Sequence, residues 1–506
     1  MTGDLILLID LGTQSLRATV LNRIGARVFS KSLPVSTRRQ GSCHEQDPTE
    51  WRAGMLGLLA AVGAEKDLAG CIRAIAACGT LGGMVAVDTQ SRPLRPALLY
   101  SDQRASAYTA VIEATAYFRE LQRQTGWRVF CGDLLPQVLW LSRQEPDVYA
   151  RAQVVLDSTG YLNFVLTGRP SLESYSRYSC YARPGSAGVP AGLMQELGLD
   201  PARFGPPVAA GDQLGTLCPE IASKVGLPQC SVISLPYDSM TAYLGAGLRE
   251  TGDALDISGT VTSFGVLHPA QVIDSERRIY SFPLPANSKW LVRGSTSASG
   301  SALEWAKREF VGDGFGAFDE LVEASPPGAN GILFLPYLAG ERSPLWNADA
   351  RGVFFGITGS TTRADMARAV YEGLCFSLRH IQTVMRSNRV PIGKVKLTGG
   401  LSQNRLLNRI KADVTGTTLL SLRDHEMTTL GAASVVGRAL GWYADEEEAS
   451  AALLAIEEEF IPTPANARLY DQPFGKYVEL ADRLSPMFRP AATSELAHAT
   501  GCRSEQ

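Results

Sequence analysis

Leu5-Ile6-Leu7-Leu8-Ile9-Asp10-Leu11-Gly12-Thr13-Gln14-Ser15-Leu16-Arg17 lies at the start of the chain, and its pattern frames everything after it. The apolar run from Leu5 to Ile9 is short and unbroken and stops at a carboxylate, as in a strand covered on both faces. Gly12 and Thr13 turn the chain, Arg17 to Leu21 brings it back as a second strand, and Asn22-Arg23-Ile24-Gly25 turns it again into a third, Ala26 to Ser30. The result is a β-meander launched from a strand that ends in Asp10. Gly12, lacking a side chain, lets backbone N–H groups approach an anion, while Thr13 and Ser15 add hydroxyl donors. Asp10 fits a hydrated Mg²⁺ beside phosphates, because that ion is commonly held through few carboxylates. A plain hairpin with a polar start fits the same residues.

The arrangement recurs. Leu255 to Ser258 leads into Gly259, Thr260 and Thr262, followed by the apolar Phe264 to Leu267. Two such units about 250 residues apart suggest duplicated domains facing a shared cleft, with a break near residue 250. The length of 506 residues also calls for more than one core.

Working outward, Glu50 to Val62 has helical spacing, Ile72 to Cys78 reads as a strand, and Met84 to Asp88 as its partner. Ser106 to Thr125 and Pro136 to Arg143 read as helices. Tyr175, Tyr178 and Tyr181, three apart, fit either a packed aromatic stripe or a substrate-cleft wall. In the second half, Ser299 to Phe310 is helical and Gly331 to Leu338 a strand or buried segment. Arg363 to Met385 is a long helix with one apolar face, Val395 to Leu397 a strand, and Leu406 to Val414 and Leu430 to Leu440 helices. A polar tail from about 490 is expected to be poorly ordered.

Composition removes several classes. Lys plus Arg (48) against Asp plus Glu (51) leaves a net charge of −3, with no overall footprint for nucleic acid or an anionic membrane. No stretch approaches the roughly 18 apolar residues of a membrane span, and Met1-Thr2-Gly3-Asp4 lacks the basic start of a secretory signal. Nine cysteines without a CxxC pair and five scattered histidines point to a reduced cytoplasmic protein without structural zinc. GxxxxGK[ST], HExxH and GxSxG are absent, and Gly312-Asp313-Gly314-Phe315-Gly316 has the wrong spacing for a dinucleotide loop.

What remains is a set of polar turns after apolar strands. Asp238 follows the apolar run 232–235 and precedes a small-residue helix over 239–247. It fits a base that takes a hydroxyl proton in phosphoryl transfer, or simply an N-cap. Asp102 fits a polyol-hydroxyl contact, or a surface salt bridge with Arg104. Gly399, Gly400 and Asn404 make a loop on which a flat neutral group can lie, or an ordinary strand-to-helix turn. Glu341-Arg342-Ser343-Pro344 fits a cleft edge or a stabilising ion pair.

Together these blocks resemble the FGGY carbohydrate kinases of the actin-like ATPase superfamily, and among them the xylulokinases. The resemblance runs over residues 4 to 485. It is carried by Asp10 to Arg17, Leu94 to Arg104, Leu156 to Gly168, Ser258 to Thr260 and Gly340 to Pro344. Ala350 to Thr358 with Thr362 to Gly373, Thr398 to Asn404, and Leu430 to Ala433 complete the series in family order.

The resemblance implies an α/β protein of two actin-like, ribonuclease H-like domains, each a mixed sheet flanked by helices, with an interdomain cleft. The domains implied are residues 1–250 for sugar, phosphate and the base, 251–485 for nucleotide, and a tail over 486–506. It implies ATP and Mg²⁺ as cofactors and a small sugar or polyol as partner, with neither nucleic acid nor membrane, and leaves a homodimer open. Asp238 becomes the catalytic base and a second candidate for the metal held at Asp10. Gly12, Thr13, Gln14, Ser15, Arg17, Gly259 and Thr260 become phosphate contacts, and Gly399, Gly400 and Asn404 border the adenosine. Leu81, Gly82, Tyr100, Asp102 and Tyr237 line the sugar site.

The favoured reaction is D-xylulose to its 5-phosphate. D-ribulose, L-ribulose, L-xylulose and erythritol are alternatives, as is a catalytically impaired nucleotide- or sugar-binding protein; a chaperone or filament ATPase lacks a reason for the sugar-kinase blocks. Three departures bear on the sugar. The family's Gln-Met-His-Gly block is Thr80-Leu81-Gly82-Gly83 here, Tyr100 stands for a tryptophan, and Pro236 and Tyr237 precede Asp238 where glycines are usual.

Overall fold

The computed structural model describes residues 3–186, 188–284, 289–311 and 315–488. They form two compact bodies, Met1–Leu248 together with Glu426–Ala455, and Arg249–His425 together with the chain from Ile456 onward. One crossing lies beside the expected boundary at 250. The expected second domain over 251–485 is otherwise divided, because the segment 426–455 belongs to the first body. The expected tail falls largely outside the described residues, as does the 312–314 turn.

The first body is built on six strands: β1 (Leu5–Leu11), β2 (Ser15–Leu21), β3 (Arg27–Pro34), β4 (Ile72–Gly79), β5 (Gln213–Thr216) and β6 (Ser231–Ser234). Their order is β5-β6-β4-β1-β2-β3, with β1–β4 and β4–β6 parallel and the other pairs antiparallel. Alternation in β1 explains its unbroken apolar run. Leu5, Leu7, Ile9 and Leu11 pack with Trp51, Met55, Leu58 and Leu59 of the helix Pro48–Ala64, which Asp47 caps by accepting the Thr49 N–H at 2.8 Å. Ile6 and Leu8 face the other way, into a core with Ala432, Ala433, Val435 and Val436 of the helix Met427–Ala439. That second apolar face draws the late segment back to the first body.

Gly82–Val87 is a strand but does not pair with β4, contrary to expectation. It lies between Ala97–Leu99 and Val154–Leu156 in a separate antiparallel sheet that Cys43–Gln46 and Arg38–Gln40 extend. The left-handed backbone of Gly82 (φ 69°) and Gly83 (φ 73°) turns the chain out of the first sheet. The helical stretch 106–125 is two helices, Ser106–Glu113 and Ala116–Thr125, with Thr115 capping the second through the Phe118 N–H at 3.1 Å.

The second body repeats the plan. Its strands are β7 (Ala254–Ser258), β8 (Thr262–His268), β9 (Tyr280–Leu284), β10 (Lys289–Ser295), β11 (Val395–Thr398), β12 (Leu419–Leu422) and β13 (Ile456–Phe460), in the order β9-β10-β8-β7-β11-β12-β13. As in the first sheet, antiparallel strands flank one side of the opening strand, two there and three here, and two parallel strands with an antiparallel edge flank the other. The long helix Arg363–Ser387 starts with a reciprocal Thr362–Asp365 capping box. Both bodies are therefore mixed sheets flanked by helices, as the resemblance implied. Among the described residues no cysteine forms a disulfide, and no helix is long and apolar enough to cross a membrane.

Candidate functional site

Three parallel strands of the first body, β1, β4 and β6, end on one edge of the sheet. Their carboxyl ends deliver Asp10–Gly12, Thr80–Gly82 and Leu235–Asp238 to that edge, the position where open α/β sheets gather ligand groups.

Asp10 sits opposite Arg17 on β2 and Cys78 on β4. It is half-buried, and burial raises its carboxyl above the ordinary carboxylate range despite the opposing field of Arg17. The Cys78 thiol lies 3.7 Å from Oδ1 of Asp10. That thiol is itself raised well above its ordinary value, first by burial and then by the negative fields of Asp10 and Asp238. Both carboxylates thus lie within electrostatic reach of one sulfur. Arg17 is engaged by Glu426 at the start of the returning segment, and Glu426 also pairs with Arg27 at 3.1 Å.

The Gly12–Ser15 turn differs from its sequence reading in one respect. The Gly12 N–H donates to the Ser15 carbonyl at 2.9 Å, so it is committed within the hairpin. Among the described residues, the N–H groups of Thr13 and Gln14 donate to no protein acceptor, and they are the amides open to an anion. The carbonyl side of the turn is held: Gln46 Nε2 donates to Thr13 O at 2.8 Å and to Thr37 Oγ1 at 2.8 Å, and Val35 N–H donates to Gln14 O at 3.0 Å. Gln46 Oε1 in turn accepts the Trp51 indole N–H at 2.9 Å. Gln46 and Glu426 act at this edge, yet nothing local in the sequence marks either. Each makes its contact across a long sequence separation.

Asp238 is the first residue of the helix Asp238–Gly245 rather than its N-cap. Its Oδ1 accepts the Ser239 N–H at 2.6 Å, and the preceding Tyr237 is buried. A carboxylate here is favoured by the positive end of the helix. The helix is seated against Met427–Ala439 by two glycines. A Cβ on Gly245 would overlap Gly431, and one on Gly431 would overlap the Thr241 carbonyl. The Leu430-Gly431-Ala432-Ala433 block therefore fixes the height at which Asp238 is presented.

The expected sugar residues divide. Leu81, half-buried, and Gly82 follow the end of β4, and Gly132 lies against both Gly82 and Tyr100: a Cβ on Gly82 would overlap the Gly132 carbonyl, and one on Gly132 would overlap the Tyr100 carbonyl. Asp102 differs from them. It is 0% exposed, its Oδ2 accepting His44 N–H at 2.8 Å and Arg104 Nη2 at 2.7 Å, its Oδ1 accepting Arg104 N–H at 2.9 Å and Nε at 3.0 Å. Arg104 also reaches Glu45 at 2.7 Å, and Glu45 pairs with Arg95 at the same distance. With every lone pair taken, Asp102 anchors a buried ion cluster rather than offering an oxygen to a hydroxyl. This is a buried form of the salt bridge that the sequence left open.

In the second body the Gly259 N–H is likewise committed, to Val261 O at 2.9 Å. The Thr260 carbonyl accepts the Ser299 N–H at 3.0 Å and the Ser301 N–H at 3.2 Å, which fixes the turn to the start of the helix Gly300–Phe310. The carboxylate of β7, Asp256, is fully buried and paired with Lys411 at 2.6 Å and with the Ser258 hydroxyl at 2.6 Å. Gly399 (φ 87°) passes so close to β7 that a Cβ would lie 2.5 Å from the Ser258 carbonyl, while Gly400 is open. Asn404 caps the helix Arg405–Thr415 through the Leu407 N–H at 2.8 Å, and its Nδ2 donates to Tyr371 OH at 2.8 Å and to Asp319. Both ends of Asn404 are thus engaged, and the Gly399 N–H and carbonyl bond to His425 and Ser402, which leaves Gly400 as the open part of the loop. Among the described residues no group of three or more His, Cys, Asp or Glu side chains could hold a metal ion alone. A cation here would need substrate oxygens and water, and Asp10, desolvated and without a cationic partner within ion-pair distance, suits that arrangement.

Residues 5–245 match the model of the FGGY family of carbohydrate kinases, N-terminal domain, and residues 255–440 that of its C-terminal domain. A xylulose kinase of Staphylococcus epidermidis is 28% identical over 482 residues, covering 94% of this chain and 96% of the relative. A gluconokinase of Bacillus subtilis is 24% identical over 441 residues, 84% of this chain and 85% of the relative. The crystal structure of a xylulose kinase from Rhodospirillum rubrum superimposes with a TM-score of 0.83 at 26% identity, covering 96% of this chain and 99% of that one.

Proposed function

The chain belongs to the FGGY family of carbohydrate kinases, ATP-dependent phosphotransferases acting on sugar or polyol hydroxyls, and from that premise we propose a ketopentose kinase with D-xylulose as the favoured acceptor and the 5-phosphate as product. The observation that carries the reading is the shared sheet edge of the first body, where Asp10, the open amides of Thr13 and Gln14, and Asp238 converge.

Asp238 orients the acceptor hydroxyl and takes its proton as the O–P bond forms. Thr13 and Gln14 direct N–H groups at the phosphoryl oxygens, held in place from behind by Gln46. Mg²⁺ bound with the nucleotide, held by Asp10, would neutralise charge on the phosphate oxygens. Leu81, Gly82 and Tyr100 shape the sugar site, and Asp102 positions Arg104 beside it. In the second body Thr260 and the loop at Gly400 are the nucleotide contacts.

The test is ADP release measured over ketopentoses, ketohexoses, pentitols and D-gluconate, with Asp238→Ala as control. The wild type is expected to turn over a neutral ketopentose. The variant should lose about 10²- to 10⁴-fold in kcat while keeping its affinity for ATP. Undiminished turnover by D238A would reject the base assignment. Nucleotide binding without turnover of any acceptor would instead favour a sugar- or nucleotide-binding role.

A further inference from the structure

Asp133, beside the candidate sugar site, is absorbed by none of these roles. It precedes the helix Leu134–Gln144 at the N-cap position, yet its side chain makes no cap hydrogen bond. Instead its Oδ2 accepts the Tyr181 hydroxyl at 2.7 Å, and that hydroxyl accepts the Phe130 N–H at 3.2 Å. Tyr181 is 2% exposed, packs edge-on against Phe118 at 5.1 Å, and is held at φ 58°, a conformation that a tyrosine adopts only under constraint. Of the three tyrosines spaced by three, Tyr175 and Tyr178 meet edge-to-face at 5.6 Å, whereas Tyr181 aims a hydroxyl at a carboxylate.

Besides the Tyr181 hydroxyl only the Phe130 N–H meets the Asp133 carboxyl among the described residues, so two of its four lone-pair sites remain for a further donor. Asp133 keeps some accessible surface, yet burial pushes its carboxyl up to about 7, against the hydrogen bonds from Tyr181 and the Phe130 N–H. The preceding residue, Gly132, ties Asp133 to the candidate sugar residues, because its backbone abuts both Gly82 and Tyr100.

We infer that Asp133 is a specificity-determining residue of the sugar site, its carboxylate accepting a substrate hydroxyl and so selecting an uncharged ketose or polyol over an aldonate. The inference rests on the kinase reading above. Tyr181 and the Phe130 N–H fix the carboxylate, and its remaining lone pairs serve a hydroxyl donor well. A substrate carboxylate at that place would bring two acceptors together with no donor between them. Loss or mismatch of one buried polar contact of this kind is worth orders of magnitude in kcat/KM.

The experiment compares kcat/KM for a ketopentose and for D-gluconate at pH 8, in wild type and in Asp133→Asn, which keeps the size and an oxygen for Tyr181. The ratio of neutral to aldonate substrate is expected to fall about a hundredfold in D133N, through KM for the acceptor, with KM for ATP unchanged. Tyr181→Phe, which frees the carboxylate without removing it, should lower the ratio less. An unchanged ratio in folded D133N overturns the inference, as does wild-type preference for the aldonate. If the wild type turns over no acceptor, the kinase reading fails separately. Equilibrium dialysis of labelled xylitol and gluconate without ATP still decides the inference. Selective xylitol binding lost in D133N supports it, while equal binding of both ligands, or of neither, overturns it.

Discussion

The two bodies present the same turn after the same strand, with opposite electrostatic outcomes. In the second, Asp256 lies one residue further from its Gly-Thr pair than Asp10 does, and in a strand that shift moves a side chain to the other face. Asp256 therefore points into the core, where Lys411 neutralises it at 2.6 Å. Asp10 points to the functional edge, where its nearest cation, Arg17, is held by Glu426, and its own contact is a thiol. The difference makes a strand-terminal carboxylate a structural pair in one register and leaves it available at the sheet edge in the other.

Substituting the two carboxylates probes that contrast most severely. Asp10→Asn should lower kcat about a hundredfold or more while leaving stability within about 0.5 kcal/mol, because burial already disfavours the Asp10 charge. Asp256→Asn should do the reverse, leaving Lys411 buried without its counter-ion at a cost of about 3–5 kcal/mol, read by urea unfolding. Equal loss of stability in both variants would abolish the distinction.

A second contrast is in pH dependence. Glu341 in the second body is buried, and desolvation pushes its carboxyl up to about 7, opposed by the Ser297 and Arg342 N–H groups. Between the unfolded value of about 4.5 and 7 the folded state retains a proton that the unfolded state has lost. Stability from this group is thus fully present below about pH 4.5, declines as pH rises, and is gone above about 7, a span of roughly 3 kcal/mol. Glu341→Gln should flatten that decline in denaturation series between pH 5 and 8. An unaltered slope would remove Glu341 as its source.

The smallest expected effect concerns how the turns are held. The first is held mainly by Gln46, with Thr37 Oγ1 a longer contact to the same Thr13 carbonyl at 3.4 Å, so Gln46→Leu should raise KM for ATP about tenfold, the cost of losing the shorter bond. The second depends on the Ser299 and Ser301 amides, so Ser301→Ala, which removes only a hydroxyl contact to Thr260 at 3.1 Å, should change KM less than twofold.

Much of this was legible in the residues. The apolar run ending in Asp10, the repeat at Gly259-Thr260, and the strand-to-helix step at Asp238 each follow from local pattern, and the order of blocks identified the family. The saturation of Asp102 was only half legible: its pairing with Arg104 is local, but the His44 N–H and the full burial come only after two strands pair. Asn404 likewise resembled a ligand contact until Tyr371 and Asp319 were found on its amide.

The amino-acid order by itself determined the elements, their duplication and the chemistry present at each strand end, because periodicity and turn residues act over a few positions. Tertiary structure alone decided which of those groups remain available. It brought residues 426–455 back under β1, set Gly431 against the Asp238 helix, engaged Arg17 with Glu426, and joined Asp133 to Tyr181. Hydrogen-bond capacity and burial depend on partners far away in sequence, and only the folded chain assigns those partners.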